Sequence, residues 1–188
     1  MFSKDLFLVR YVDLHDRIIP NIIESQPEEV LRTTSFGGNS ILWIYWHMLR
    51  TEDVGLSRFI LDEDQLYNSF RNIVGVNTTL NGTGMNMDDV YKTTSTIILE
   101  GLKSYREAVK SRTMNLISSV EQIDLSEILT KERIEEVICK EEIMPEDSWN
   151  MLPLYYGKSK EWFLLHVSLT HPFYHLGQIS TMAKLYNK

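Results

Sequence analysis

The chain has 188 residues, 43% of them hydrophobic and 24% charged, and a formal net charge of −7. That length and balance suit a single folded domain over residues 1–188 with a proper core, and exclude a disordered chain. The acidic excess, with no basic stripe, excludes a phosphate-backbone binder, so no nucleic-acid partner is expected.

Only 5 Pro and 9 Gly punctuate the chain, and no alternating strand pattern of useful length occurs. The expected class is therefore all-α. The first helix runs from about Ser3 to Glu24, with Phe7, Tyr11, Leu14, Ile18 and Ile22 recurring at helical spacing and Pro20 imposing a kink or an early end. Its start lacks the layout of a signal peptide. His15 is expected to be exposed or packed locally beside Asp16. Pro27-Glu28-Glu29 reads as a short helical start, and Gly37-Gly38 as a break.

Asn39 or Ser40 can cap a second helix from Ile41 to about Leu61. Its first half is apolar on every side and belongs inside the protein; its second half carries Arg50, Glu52, Asp53 and Arg58 and should emerge toward solvent. The apolar stretch Ile41–Leu49 is the longest, and it falls well short of the about 20 residues of a membrane span. A cytoplasmic protein with no membrane partner follows as the expectation. Residues 75–87, rich in Gly, Asn and Thr, read as a loop. Asp88 would cap a third helix over about Asp89–Arg112, with a turn or short helix over 114–123. The charged segment 127–142 suits a peripheral helix or a partly strand-like arm. The single cysteine there, Cys139, reads as a small hydrophobe and excludes a disulfide framework or a multi-thiolate zinc site. A connection over 144–157 leads to a last helix from near Ser159 to the end. Four long helices with long connections suggest a bundle.

Five histidines are present: His15, His47, His166, His171 and His175. His171 and His175 stand four apart, one turn above the other, so their ring nitrogens can meet at one point as in a metal-binding helix. Taken alone, such a pair is more often two polar residues sharing a helix face. His47 alters the balance. It sits within the apolar run Ile41–Leu49, and an unpaired buried polar group costs about 1–3 kcal/mol. It therefore needs a carbonyl, a carboxylate or a metal as partner. Facing helices are where bundles build metal sites. His166 precedes His171 by five residues, about 140° round a regular helix, and His175 by nine, about 180°. It should not reach the same ion, and it stands as an outer-shell or structural candidate. Pro172 complicates the local geometry, because it cannot bond the carbonyl of Ser168.

The stretch Trp43-Ile44-Tyr45-Trp46-His47, with the stretch His171-Pro172-Phe173-Tyr174-His175-Leu176-Gly177-Gln178, resembles the DinB-like (YfiT-like) metalloenzyme family. That family has a His in mid second helix and an HxxxH followed by Gly-Gln in its last, usually with Arg where this chain has Leu176. The resemblance implies an antiparallel four-helix bundle with a long crossover connection and extra short helices, often as a homodimer. It implies one divalent metal held by His47, His171 and His175. Gly177 is expected to admit a neighbouring helix, and Gln178 to hydrogen-bond across the bundle and to stand, like His166, as an outer-shell candidate.

Three neutral imidazoles leave a metal with its double charge and an open position, which favours a reactive site over a closed structural one. Imidazole suits Zn, Ni or Fe, so the metal is not specified. Glu52, about 140° off the face of His47, is no evident base. Two readings follow. The first is a metal-dependent enzyme acting on a small molecule, which the family resemblance implies is either a transferase using a low-molecular-weight thiol or a hydrolase. The second is a non-catalytic stress-response or binding module with a structural metal or none.

Overall fold

The computed structural model describes residues 2–34 and 38–186; Gly37 of the expected glycine break lies outside them. Every regular element among the described residues is helical. Their one strand-like contact is the isolated antiparallel bridge between Ile128 and Ser159.

Helix α1 (Lys4–Asp13) starts where Ser3 accepts a hydrogen bond from the Leu6 amide. It continues through two wide π-type turns, Leu14–Ile18 and Pro20–Glu24, with Pro20 at the start of the second. Proline has no N–H to give, and a wider turn absorbs the missing bond. α2 (Glu28–Arg32) follows Pro27. α3 (Ile41–Val54) is capped by Ser40, whose hydroxyl accepts from the Trp43 amide, and it runs on as a wide-turn segment, Gly55–Leu61. It is the axis of the molecule: α2, α5 (Met87–Thr96), α6 (Leu99–Ser118) and α9 (His171–Tyr186) all pack on it. Its buried Trp46, Tyr45, Ile44 and Leu42 anchor the core, each large apolar side chain contributing about 1.5–3 kcal/mol of burial.

The second half of α3 does not emerge into water. Arg50, Glu52 and Asp53 are buried as deeply as the leucines around them. Each charge is paired internally instead. Asp53 accepts from the Ser57 and Tyr105 hydroxyls and from the Leu66 and Tyr67 amides. Those two amides open α4 (Tyr67–Val74), which Asp53 thus caps from another helix. The expected third helix is two. Asn86, not Asp88, caps α5, and the chain turns extended at Ile97–Ile98 before α6. The break is fixed by the Ile98 amide, which donates to the Val74 carbonyl at 2.8 Å.

Between α6 and the last helices, α7 (Lys131–Glu135) and a 3-10 segment, Glu146–Leu154, form a strap over the loop that follows α4. The strap is pinned where the Asn81 amide donates to the Ile143 carbonyl. α8 (Lys160–Leu165), capped by Ser159, joins α9 through a wide turn over His166–Thr170. None of the described helices is long and apolar enough to cross a membrane.

Candidate metal centre

His47 projects from the middle of α3 and is almost fully buried. Its ring stacks on Trp43, with centroids 5.2 Å apart and planes 17° apart. Its Nδ1–H donates to the Asn81 carbonyl at 2.7 Å, which leaves Nε2 as the bare acceptor. The chain reaches that carbonyl only because residue 82 is glycine. A Cβ there would lie 2.9 Å from His47 Nδ1 and 3.0 Å from the Trp43 ring, and its φ of +104° suits glycine alone.

His171 opens α9 and His175 lies one turn further. His175 Nδ1–H donates to Gln178 Oε1 at 3.1 Å, so its Nε2 is also an acceptor. The His171 Nε2 then stands 3.1 Å from both the His47 and the His175 Nε2 atoms. One ligand atom from each of the three rings lies within 4.8 Å of the others. Two acceptor nitrogens thus flank a third, which can give a proton to one of them at most. A cation at their meeting point would satisfy all three lone pairs, and the outward N–H bonds to Asn81 and Gln178 are the orienting contacts that metal-bound imidazoles carry. The donor set therefore fits a divalent ion.

The electrostatics agree. Burial pushes the His47 pKa down to about 4, against the opposing pull of the Asn81 carbonyl. Burial also holds His171 well below the ordinary histidine value, with His47, His175 and His166 adding to the shift. Burial lowers His175 too, opposed by its bond to Gln178. All three rings are neutral at neutral pH, the form that ligates metals.

The structure brings His47, His171 and His175 together. His166 lies beside the group but outside it. On a regular helix it would point away from His171. The wide turn over His166–Thr170, closed by the His171 amide on the His166 carbonyl, instead carries its ring to 5.9 Å from that of His171. It rests flat on Trp162, centroids 4.6 Å apart. Pro172 causes no clash, since the wide turn ends just before it.

Three expectations need correcting. Among the described residues no atom of a neighbouring element stands within 4 Å of a Cβ built at Gly177, so none of the described helices packs against this glycine. Gln178 bonds His175 on its own helix rather than reaching across. His15 is not at the surface: its ring lies buried against Tyr11, 3.6 Å from Glu52 Oε2. Glu52 is turned to that side, accepting from the Tyr11 and Thr113 hydroxyls, and does not serve the histidine group. The contact missed by sequence reasoning is the Asn81 carbonyl. A backbone acceptor leaves no side-chain signature, and only the Gly82 beside it marked the close approach. No protein-family model and no curated protein matches this chain.

Proposed function

We propose that the chain is a divalent-metal-dependent enzyme with an open three-histidine site, acting on a small molecule by transfer of a low-molecular-weight thiol. The observation that carries this reading is the convergence of three Nε2 atoms from α3 and α9, two of them oriented by outward hydrogen bonds. His47, His171 and His175 would hold the ion. A divalent ion with three neutral ligands supplies an uncompensated double charge and a free position that favours the deprotonated form of a thiol or water.

Hydrolysis by a metal-bound water is the second branch, and like the thiol route it would rely on the ion to lower the pKa of the nucleophile. Among the described residues no carboxylate joins the histidine group. Glu52 and Asp53 are both committed to buried donors elsewhere. With no base beside the ion the thiol is favoured, because it gives up its proton far more readily than water does, and the thiolate attacks an electrophilic carbon and expels its leaving group with the bonding electron pair. The resemblance of the two histidine stretches to the DinB-like family supports the same reading. So does the arrangement of α1, α3, α6 and α8–α9, which we take for the four long elements of an antiparallel bundle, with the strap as its crossover.

The test is metal analysis of untagged protein, alone and after incubation with Zn, Ni or Fe(II). About one ion per chain is expected, lost in His47→Ala and in His175→Ala while the helical circular dichroism signal persists. A protein that takes up none of the three metals refutes the site. Bound metal with no turnover across a panel of thiols, electrophiles and esters refutes the enzyme and leaves a structural metal.

A further inference from the structure

A cavity of about 50 Å³ adjoins the histidine group, with His171 in its wall. Its lining is part apolar, with Val54, Ile143 and Phe163, and part polar, with Asn81, Thr83, Tyr155 and His166. Among the described residues no Asp, Glu, Lys or Arg lines it. Asn81 is held in place by three bonds. Its carbonyl accepts from His47 Nδ1–H, its backbone amide donates to the Ile143 carbonyl, and its side-chain Oδ1 accepts from the Thr83 amide at 2.9 Å. The last bond fixes which way the side-chain amide faces, because only its oxygen can accept a backbone N–H. Nδ2 is left as the one polar atom of the residue with no protein partner. The residue is only 7% exposed, but Nδ2 itself is not sealed: it keeps surface that a water can touch. A buried side chain with one free donor, lining a cavity beside the histidine group, is placed to give a hydrogen bond to what enters.

We propose that Asn81 is a substrate-binding residue, that its side-chain N–H donates to an oxygen of the electrophile, and that this electrophile is uncharged. The inference rests on the thiol-transfer reading above and names the acceptor that the reaction takes. A carboxylate or phosphate in this cavity would meet no cation of the protein, and desolvating an unpaired charge costs far more than one amide bond returns. The ion's own charge would be met first by the thiolate it binds. A neutral oxygen, such as that of a carbonyl or an epoxide, asks only for a donor. Asn81 supplies it, and the apolar residues take the adjoining carbons. The volume admits roughly three or four non-hydrogen atoms, which is the reacting end of a molecule. In the free protein the donor is left to water, and the oxygen of the electrophile takes that water's place.

The experiment is proton–nitrogen correlation NMR of the full chain, metal-free and zinc-loaded, read at the Asn81 side-chain amide during titration with dimethyl sulfoxide. Dimethyl sulfide, the same skeleton without the oxygen, and acetate, an anionic acceptor, are the controls. Dimethyl sulfoxide should move the Asn81 signals saturably in both forms. Dimethyl sulfide, and acetate in the metal-free form, should leave them in place. Asn81→Asp keeps Oδ1 for the Thr83 amide and puts an acceptor where the donor stood. Asn81→Ser offers that amide an oxygen on a shorter arm, removes the side-chain N–H and adds no charge. Followed at the methyls of Val54 and Ile143, dimethyl sulfoxide should bind either variant about fivefold to tenfold more weakly, the loss of one hydrogen bond. Asn81 signals that stay fixed overturn the proposal and leave a side chain that only props its loop. Variants that bind dimethyl sulfoxide as well as the parent overturn it too. Acetate binding to the metal-free form as tightly as dimethyl sulfoxide overturns the uncharged class. A chain that holds no metal but answers at Asn81 keeps this site and loses the thiol reaction, and zinc uptake with a silent Asn81 does the reverse, so the two readings fail separately.

Discussion

His47 is constrained on three sides, by the Trp43 face, by the Asn81 carbonyl and by the His171 nitrogen. The consequence is a measurable link between pH and stability. In the unfolded chain this histidine titrates near 6.5, and in the folded protein burial holds it at about 4. Between those values the unfolded state takes up a proton that the folded state refuses, so stability falls as the pH drops through that window. The contribution is intact above 6.5 and fully lost below about 4. For His47 it is on the order of 3 kcal/mol, and the lowered pKa of His171 acts in the same direction. Urea unfolding of the metal-free protein at about pH 7.5 and about pH 4.5 should show this loss, and His47→Gln should reduce it. An equal loss in the variant would assign the acid sensitivity to other groups.

At the scale of elements, the loop over 79–82 is as much part of the site as the helices. Arg50 follows His47 by nearly one turn of α3 and is fully buried. Its guanidinium lies 4.0 Å over the Tyr67 ring, and Nη2 donates to the Thr79 carbonyl at 2.9 Å. It thereby holds the segment whose next residues present the Asn81 carbonyl to His47. Arg50→Lys keeps the charge but cannot stack and donate in two directions at once. Metal affinity is expected to fall about 10–100-fold with the stoichiometry unchanged, as read by competition with a chelator. Unchanged affinity in a destabilised variant would make Arg50 a packing residue only. This part of the site was not legible in the sequence. Charges along α3 read as a solvated face, because the partners that let them be buried (Thr79, Tyr67, Tyr105) lie on other elements. α4 was hidden for the same reason, its cap being Asp53 from α3. The histidines were legible because their signal is local: a four-residue spacing on one helix, and a polar ring in an otherwise apolar run. The position of His166 was not, since periodicity assumes a regular helix and the chain takes a wide turn there.

For the molecule as a whole, the three rings tie together segments 124 residues apart in the chain, α3 from the middle of the core and α9 from its end. An unfolded chain does not hold those nitrogens in one place, so an ion that binds them binds the folded state alone. Its affinity then appears directly as stability, about 2.7 kcal/mol when the free ion is at 100 times its dissociation constant. In a chain of this size that corresponds to a rise in melting temperature of about 5–10 °C. Scanning calorimetry of chelator-treated protein, with and without added Zn, Ni or Fe(II), measures it. The rise should be reversed by chelator and absent in His175→Ala. That variant removes one half-buried ring with its ligand nitrogen and leaves the α3 core untouched, so its metal-free melting temperature should stay close to the parent's. A rise that survives in His175→Ala would place the ion elsewhere on this acidic surface, and the three-histidine centre would lose its claim to it.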